Sequence, residues 1–371
     1  MSAQRLVGTI FLIVAAVIYR FNEENKTALF IMWMYILFGV AAMIHFQPKH
    51  LDLKGKAVFV TGCDTGLGYE LAKALNKLGC IVFAGCLKPN GPGAQKLKAC
   101  TTDQCHILHL DVSNDESVEK VIKVIREKSD GELWAVVNNA GINAYGDTEL
   151  CTMDMYRKQT DVNLFGTIRV TKACLKMIRK AKGRIVNVTG VKGLAGFPLS
   201  SACSVSAYGV EAFSDILRVE MKRWEVPVVV VEPSNFEGRT NLLKSPTHGK
   251  GFEEELTNIW DAMDEELRED YGREYLDAYK KDLESQATNT HPDLDPVLKK
   301  IVEAVAAQFP RERYLIGASS GIYELFTFDM YKVTAKLNQW LPTEITDFIM
   351  EYNFLSALPL PKALQKDKKR D

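Results

Sequence analysis

The residues with the clearest chemical purpose in this chain are glycines. Gly62, Gly66 and Gly68 stand in Gly62-Cys-Asp-Thr-Gly66-Leu-Gly68, directly after Ala57–Thr61, a short run of strand-forming residues. Leu71, Leu75 and Leu78 then recur at helical spacing, and Ile81–Gly85 reads as a second strand. A strand, a glycine turn and a helix start together make an anion site. Glycine lets the backbone approach a pyrophosphate, while the first helical turn offers unpaired N–H groups and the positive end of its dipole.

The elements around this turn must place further groups beside it. Asp111-Val112 closes a third strand, His106–Leu110, and Asn138-Asn139-Ala140-Gly141 closes a fourth, Leu133–Val137. Val228–Glu232 and Arg313–Ile316 are later strand-like runs. Strands alternating with helical patterns predict an α/β fold with a parallel, doubly wound sheet.

These motifs, with Asn163 in Asp161-Val-Asn-Leu-Phe-Gly166, follow the order of the short-chain dehydrogenases, and the chain resembles that family from about Gly55 to Phe354. Val82-Phe-Ala-Gly85, Asn90-Gly-Pro-Gly93, Leu133-Trp-Ala135 and Gly209-Val-Glu-Ala-Phe-Ser-Asp215 carry a closer match. They are similar to the branch containing estradiol 17-beta-dehydrogenase type 2, retinol dehydrogenases and D-beta-hydroxybutyrate dehydrogenase. The resemblance implies a Rossmann-type sheet ordered 3-2-1-4-5-6-7. It also implies a nicotinamide dinucleotide held by Thr61, Gly62, Asp64, Gly66, Leu67, Gly68, Asp111, Val112, Asn138, Ala140, Gly141, Pro233 and Thr240. NAD is expected over NADP. Gly85-Cys86-Leu87-Lys88 ends the second strand with no acid for the ribose hydroxyls, and Lys88 could meet a 2′-phosphate. Asp64 inside the glycine loop would repel one, and relatives with a similar second strand use NAD.

In the resembled family a Tyr is the general acid/base, a Lys four residues later tunes it and holds the ribose, and a Ser thirteen residues before the Tyr steadies the substrate oxygen. Hydride transfer to a carbonyl leaves an alkoxide, which needs a proton and hydrogen-bond donors. Gly209–Asp215 fixes the register of the helix, so the Tyr position is Cys203, the Lys position Ala207 and the Ser position Gly190. All three are replaced. Asn163 is retained, but bending a helix and binding a water explains it equally well. No slipped register restores the set: Tyr208 has no Lys at the required interval, and Lys192 comes from a different loop near the site. Thr189 falls one residue short and is expected on the other face of its strand. The usual acid/base route is therefore expected to be missing. Cys203 remains open to two readings, a thiol proton donor or a small buried helix residue. Gly317-Ala-Ser-Ser-Gly321 has nucleophile-elbow spacing, yet the last His is His291, so it reads as a turn.

Lys244–Pro296 is a long, charged, largely helical insertion. The resemblance places it over the substrate and implies a bulky lipophilic ligand of steroid or retinoid type. Trp260, Met263, Tyr271 and Tyr275 either face that ligand or dock the insertion on the domain. Relatives dimerise through the helix carrying Cys203, which implies a homodimer. The formal net charge of −1 gives no reason to expect a nucleic-acid partner. Eight cysteines without a CxxC suggest neither a disulfide framework nor a metal site.

The organisation is an anchor over residues 1–50, a dehydrogenase-like domain over 51–318, and an amphipathic region with a basic tail over 319–371. Leu6–Tyr19 is uncharged between Arg5 and Arg20, and Thr27–Phe46 is a twenty-residue apolar run. The second is long enough to cross about 30 Å of hydrocarbon, and the first is marginal. A cleaved signal peptide lacks its small exit residues here, and a buried core hairpin lacks an obvious partner for Phe30, Trp33 and Phe38. A two-span membrane hairpin fits better than either. Arg5, Lys49, Lys54 and Lys56 then share one side, which the positive-inside rule makes cytosolic. Ile322–Trp340, continuing to Phe354, reads as an interfacial amphipathic stretch. Lys368 and Lys369, fourth and third from the end, resemble the cytosolic dilysine signal of endoplasmic-reticulum membrane proteins. Protease added to sealed microsomes is accordingly expected to digest the domain; full protection of the domain would reject the hairpin and the dilysine reading together.

Overall fold

The computed structural model describes residues 30–31, 33–37, 49–236, 240, 252–288, 293–317, 334–336, 341–356 and 358–367. The chain divides into two units, Met1–Asp52 with Ala306–Arg311, and Leu53–Val305 with Glu312–Asp371. In the first unit the amide of Leu51 donates to the Ala306 carbonyl and that of Gln308 to the Lys49 carbonyl, both at 2.8 Å. Leu6–Tyr19 and most of Thr27–Phe46 lie outside the described residues, as do Lys368-Lys369 and most of 317–340. Among the described residues no helix is long and apolar enough to cross a membrane.

The second unit is built on seven parallel strands in the order β3-β2-β1-β4-β5-β6-β7, the order the sequence led us to expect. They are β1 Ala57–Thr61, β2 Ile81–Cys86, β3 Cys105–His109, β4 Ala135–Asn138, β5 Arg184–Val188, β6 Val228–Pro233 and β7 Arg313–Ile316. β1 and β4 are buried at every position, as continuous apolar runs in a sheet covered on both faces should be. β4 starts two residues later than the expected Leu133, because the Leu133 amide is taken by the Met177 carbonyl of a covering helix.

The helices alternate with the strands. α1 Gly66–Lys77 follows β1, α2 Pro92–Cys100 follows β2 and α3 Asp115–Lys128 follows β3. α4 Met153–Thr160 runs through a π-helical turn, Asp161–Phe165, into α5 Gly166–Ala181, and α6 Ser201–Met221 joins β5 to β6. The sequence explains α3 locally. The Asn114 side chain caps it by accepting from the Ser117 amide at 2.8 Å, acids fill its first turn, and Arg126 and Lys128 fill its last. Its Val118, Val121, Ile122 and Ile125 face a core shared with Phe59, Phe83, Ile178 and Ile185. In the insertion, α7 Phe252–Ala262, α8 Glu265–Tyr271 and α9 Arg273–Thr288 are helical, and α10 Asp295–Ala306 leads towards β7.

One buried ionic cluster joins α6, β6 and β7. Arg313 of β7 donates to Glu211 and Glu232 through Nη1, and to both oxygens of Asp215 at 3.0 Å through Nη2. Burial, then the neighbouring Glu232 charge, pushes Glu211 up to about 7 despite the guanidinium. Burial likewise raises Glu232, whereas at Asp215 bonds to Arg218 and Arg313 outweigh burial and hold the carboxyl below its usual range. Breaking a buried pair leaves charge uncompensated, typically at about 3–5 kcal/mol. Arg313→Met should lower unfolding stability by about 3 kcal/mol, at the low end because the arginine is partly exposed. A raised carboxyl favours the folded state while protonated, so its contribution is present below the ordinary carboxylate pKa and fades as pH rises through about 7. The Arg313→Met loss should therefore be greater at pH 8 than at pH 5.5 in urea titrations. A loss independent of pH would exclude this account.

Candidate active site

The site forms where β1 and β4 part and their following segments diverge, the place at which open α/β sheets leave a crevice. A cleft of about 990 Å³ opens there. Gly62 and Gly66 take left-handed φ values of +74° and +60°, which glycine tolerates and other residues seldom do. A Cβ on Gly62 would stand 2.8 Å from Ala140 Cα, and one on Gly68 would stand 2.2 Å from the Gly62 carbonyl oxygen. The loop is thus pressed between its own helix and the end of β4. No side chain caps α1, whose start at Thr65 and Leu67 forms part of the cleft wall. Uncapped helical N–H groups beside a close-packed glycine loop fit the pyrophosphate of a dinucleotide.

The expected dinucleotide residues fall into two layers. Gly62, Asp64, Leu67, Asp111, Val112, Ala140, Gly141, Pro233 and Thr240 line the cleft. Thr61, Gly66, Gly68 and Asn138 do not, and stand behind it as supports. Thr61 Oγ1 accepts from the amides of Asn139 and Ala140 at 3.0 and 2.9 Å. Asn138 turns away from the cleft: its Nδ2 donates to Thr171 Oγ1 and to Asn187 Oδ1, each at 2.8 Å. Gly66 packs under Thr240, whose carbonyl oxygen would be 2.8 Å from an added Cβ.

Asp64 behaves in a way its sequence position did not reveal. Its carboxylate reaches from the glycine loop to the end of β2 and accepts from the amides of Leu87 and Lys88, both at 2.8 Å. An acid is therefore delivered to the strand end that lacks one in sequence. Asp111 is fixed at the end of β3 by accepting from the Ser113 amide and hydroxyl at 2.9 and 2.6 Å.

At the other end of the cleft the three replaced positions come together. Gly190, Cys203 and Ala207 all line it, as does Asn163. Gly190 is in extended backbone, and the nearest atom to an added Cβ is the Pro233 carbonyl oxygen at 3.4 Å. A serine side chain would fit there. Cys203 is buried, and its thiol donates to Asn143 Oδ1 at 3.3 Å. Asn163 sits in the π-helical turn and clamps the loop after β4: Oδ1 accepts from the Ile142 amide and Nδ2 donates to its carbonyl, both at 2.9 Å. The Thr189 hydroxyl is buried without a hydrogen-bond partner among the described residues, and Tyr208 is exposed. Neither takes over a lost role.

The sequence profile of the short chain dehydrogenase family matches residues 56–250. The mitochondrial D-beta-hydroxybutyrate dehydrogenase of Bos taurus is 42% identical over 264 residues, covering 70% of this chain and 76% of that protein. Estradiol 17-beta-dehydrogenase 2 of Mus musculus is 36% identical over 317 residues, covering 85% of this chain and 79% of its own length. This chain belongs to the short-chain dehydrogenase family. In fold it is similar to the crystal structure of a short-chain dehydrogenase from Streptomyces avermitilis, with a TM-score of 0.58 at 22% identity over 80% of this chain and 99% of that one.

The remaining walls of this short-chain dehydrogenase include residues that sequence reasoning did not single out. Asn143, Phe236, Leu294 and Val297 line the cleft. Nothing in the local pattern of Leu294 and Val297 marks them, since apolar residues at the start of a helix normally mean packing. Conversely, the insertion's aromatic residues dock it on the domain. Met263 and Tyr275 are buried with Tyr145, Leu150 and Leu199, and Trp260 and Tyr271 pack against that cluster. Tyr275 donates to Asp147 at 2.8 Å and Tyr271 to Glu149 at 2.9 Å. None of the four lines the cleft.

Proposed function

We propose that this is a membrane-attached, NAD(H)-binding short-chain dehydrogenase whose cleft accepts a lipophilic alcohol or ketone and whose usual acid/base route has been lost. The observation that carries the reading is the contrast between the two ends of one cleft. The glycine loop, uncapped helix and Asp111 are intact, while Gly190, Cys203 and Ala207 present no hydroxyl, phenol or ammonium where the family has Ser, Tyr and Lys. A bound nicotinamide dinucleotide would supply or take the hydride; the chain would still have to move a proton at the substrate oxygen. Losing a general acid/base typically costs about 10²–10⁴ in rate, and losing an oxyanion donor about 10²–10³.

The lipophilic class is inferred from relatives named for estradiol and retinol. Residence in the endoplasmic-reticulum membrane, with the domain in the cytosol, follows from the apolar segments and the terminal lysines. A homodimer through α6 is consistent with Val205, Tyr208, Ile216 and Val219, which are exposed along that helix. A second reading, a catalytically inactive protein that binds dinucleotide or lipid and acts through a partner, is favoured by the Cys203 thiol, whose bond goes to Asn143.

NAD is preferred because the Asp64 carboxylate stands at the end of β2, where a 2′-phosphate would bring like charge. Asp64→Ser should shift the ratio of NADPH to NADH affinity by about tenfold towards NADPH, since one removed charge–charge repulsion at a partly solvated site is of that order. Fluorescence titration with both dinucleotides measures it. An unchanged ratio would remove Asp64 from the selection, and no saturable binding of either up to millimolar concentrations would end the cofactor reading.

The catalytic claim is tested by rebuilding. Wild type should not oxidise secondary alcohols measurably above solvent. Gly190→Ser, Cys203→Tyr and Ala207→Lys together should create activity on steroid or retinoid alcohols, and any one alone should not. An unassisted Tyr keeps a pKa near 10, and residues that act as a unit do not contribute additively. Clear NAD-linked turnover by wild type that Cys203→Ala abolishes would instead make Cys203 the acid/base and overturn both readings.

A further inference from the structure

A second polar construction occupies the emptied end of the cleft, and none of its members belongs to the family's catalytic set. Lys192 sits in the 3₁₀ turn Val191–Gly193 just after β5, is buried, and lines the cleft beside Gly190 and Cys203. Its ammonium lies 4.8 Å from the centre of the Tyr145 ring. Tyr145 is buried in turn, and its hydroxyl accepts from Asn143 Nδ2 at 2.7 Å, while Asn143 Oδ1 accepts from the Cys203 thiol at 3.3 Å. Three separate elements thus converge on one place: the loop after β4, the turn after β5 and the helix α6. The aromatic face supports the cation, and the Asn143 bridge fixes the ring that does so.

The charge distribution along the cleft gives this lysine a direction. The acids of the lining, Asp64, Asp111 and Asp161, all come from the chain before β5. Among the described lining residues contributed from β5 onward, Lys192 is the one charged side chain. Around it the wall is apolar, including Val191, Phe236, Leu294 and Val297. An ammonium held in an apolar wall discriminates strongly between an anionic oxygen and a neutral one. A charge-assisted hydrogen bond is about twice as strong as a neutral pair, and desolvation enlarges the difference.

We propose that Lys192 makes this end of the cleft a receptor for the carboxylate of an apolar acid, a long-chain fatty acid in chemical class. The acyl chain lies against the apolar wall and the headgroup meets the ammonium. This rests on the cleft being the ligand site of the reading above, and it requires neither turnover nor a bound dinucleotide.

The test compares decanoate with 1-decanol on the purified full chain, by calorimetric titration in one detergent. Comparing ratios between variants cancels partition of the two probes into micelles. Wild type should bind decanoate about tenfold more tightly than decanol, the effect of one charge-assisted contact. Lys192→Met should remove the preference, Lys192→Arg should keep it, and Lys88→Met, a cation at the other end of the lining, should leave it unchanged. Equal affinity for both probes in wild type would overturn the proposal, and so would a preference that survives Lys192→Met with an unchanged melting temperature. If Lys192→Met does not fold, Lys192→Gln takes its place and the wild-type ratio still decides. A failure of NADH binding with the decanoate preference intact would sink the dinucleotide reading and leave this one standing.

Discussion

The hydrogen bonds that Thr61 Oγ1 receives from the amides of Asn139 and Ala140 tie together the two strand ends on which the whole site is hung. β1 and β4 are adjacent in the sheet, and the chain leaves them in different directions. Without a tie, the glycine loop and the loop after β4 would be two independent surface segments. With it, Gly62 can press against Ala140 and Gly68 against Gly62, and α1 starts at a fixed distance from the cleft. The anion site is a property of that junction more than of any one glycine.

Behind the junction runs a buried polar chain, Thr171–Asn138–Asn187–Ser214, each link at 2.8 Å. Buried amides must find partners, and a satisfied network rigidifies the elements it crosses, here β4, β5, α5 and α6. The Arg313 cluster does the same for α6, β6 and β7. These networks explain how the chain could change at 190, 203 and 207 and keep its architecture. The three positions lie on the wall of a cavity, outside the links that hold strands to helices. Function sits in a site carried by a fold, and the fold places few demands on the site.

The same geometry makes the cleft electrically lopsided. Carboxylates belong to the end nearest β2 and β3, while the far end carries the ammonium of Lys192 over the Tyr145 ring. Replacing a catalytic set therefore need not leave a neutral void. What occupies the wall in its place has its own chemistry, set by whichever loops the sheet brings to that edge.

Much of this was legible in the sequence, because the relevant signals are local. Buried parallel strands must be apolar throughout, so their runs located β1 and β7 to the residue, and helical spacing located α1 between two of them. Glycine spacing marked the anion loop, and the fixed interval between Gly190, Cys203 and Ala207 marked what had been replaced. Other facts belong to the tertiary structure because they join residues far apart in the chain. Asp64 serves the end of β2 only once β1 and β2 pair, 23 residues separating its carboxylate from Leu87. Asn138 faces inward because Thr171 and Asn187 arrive from two other elements. Tyr275 docks the insertion because Asp147 lies under it, 128 residues earlier. A side chain's type and spacing determine what it can do, but which partner it meets depends on the packing of elements that local periodicity does not encode.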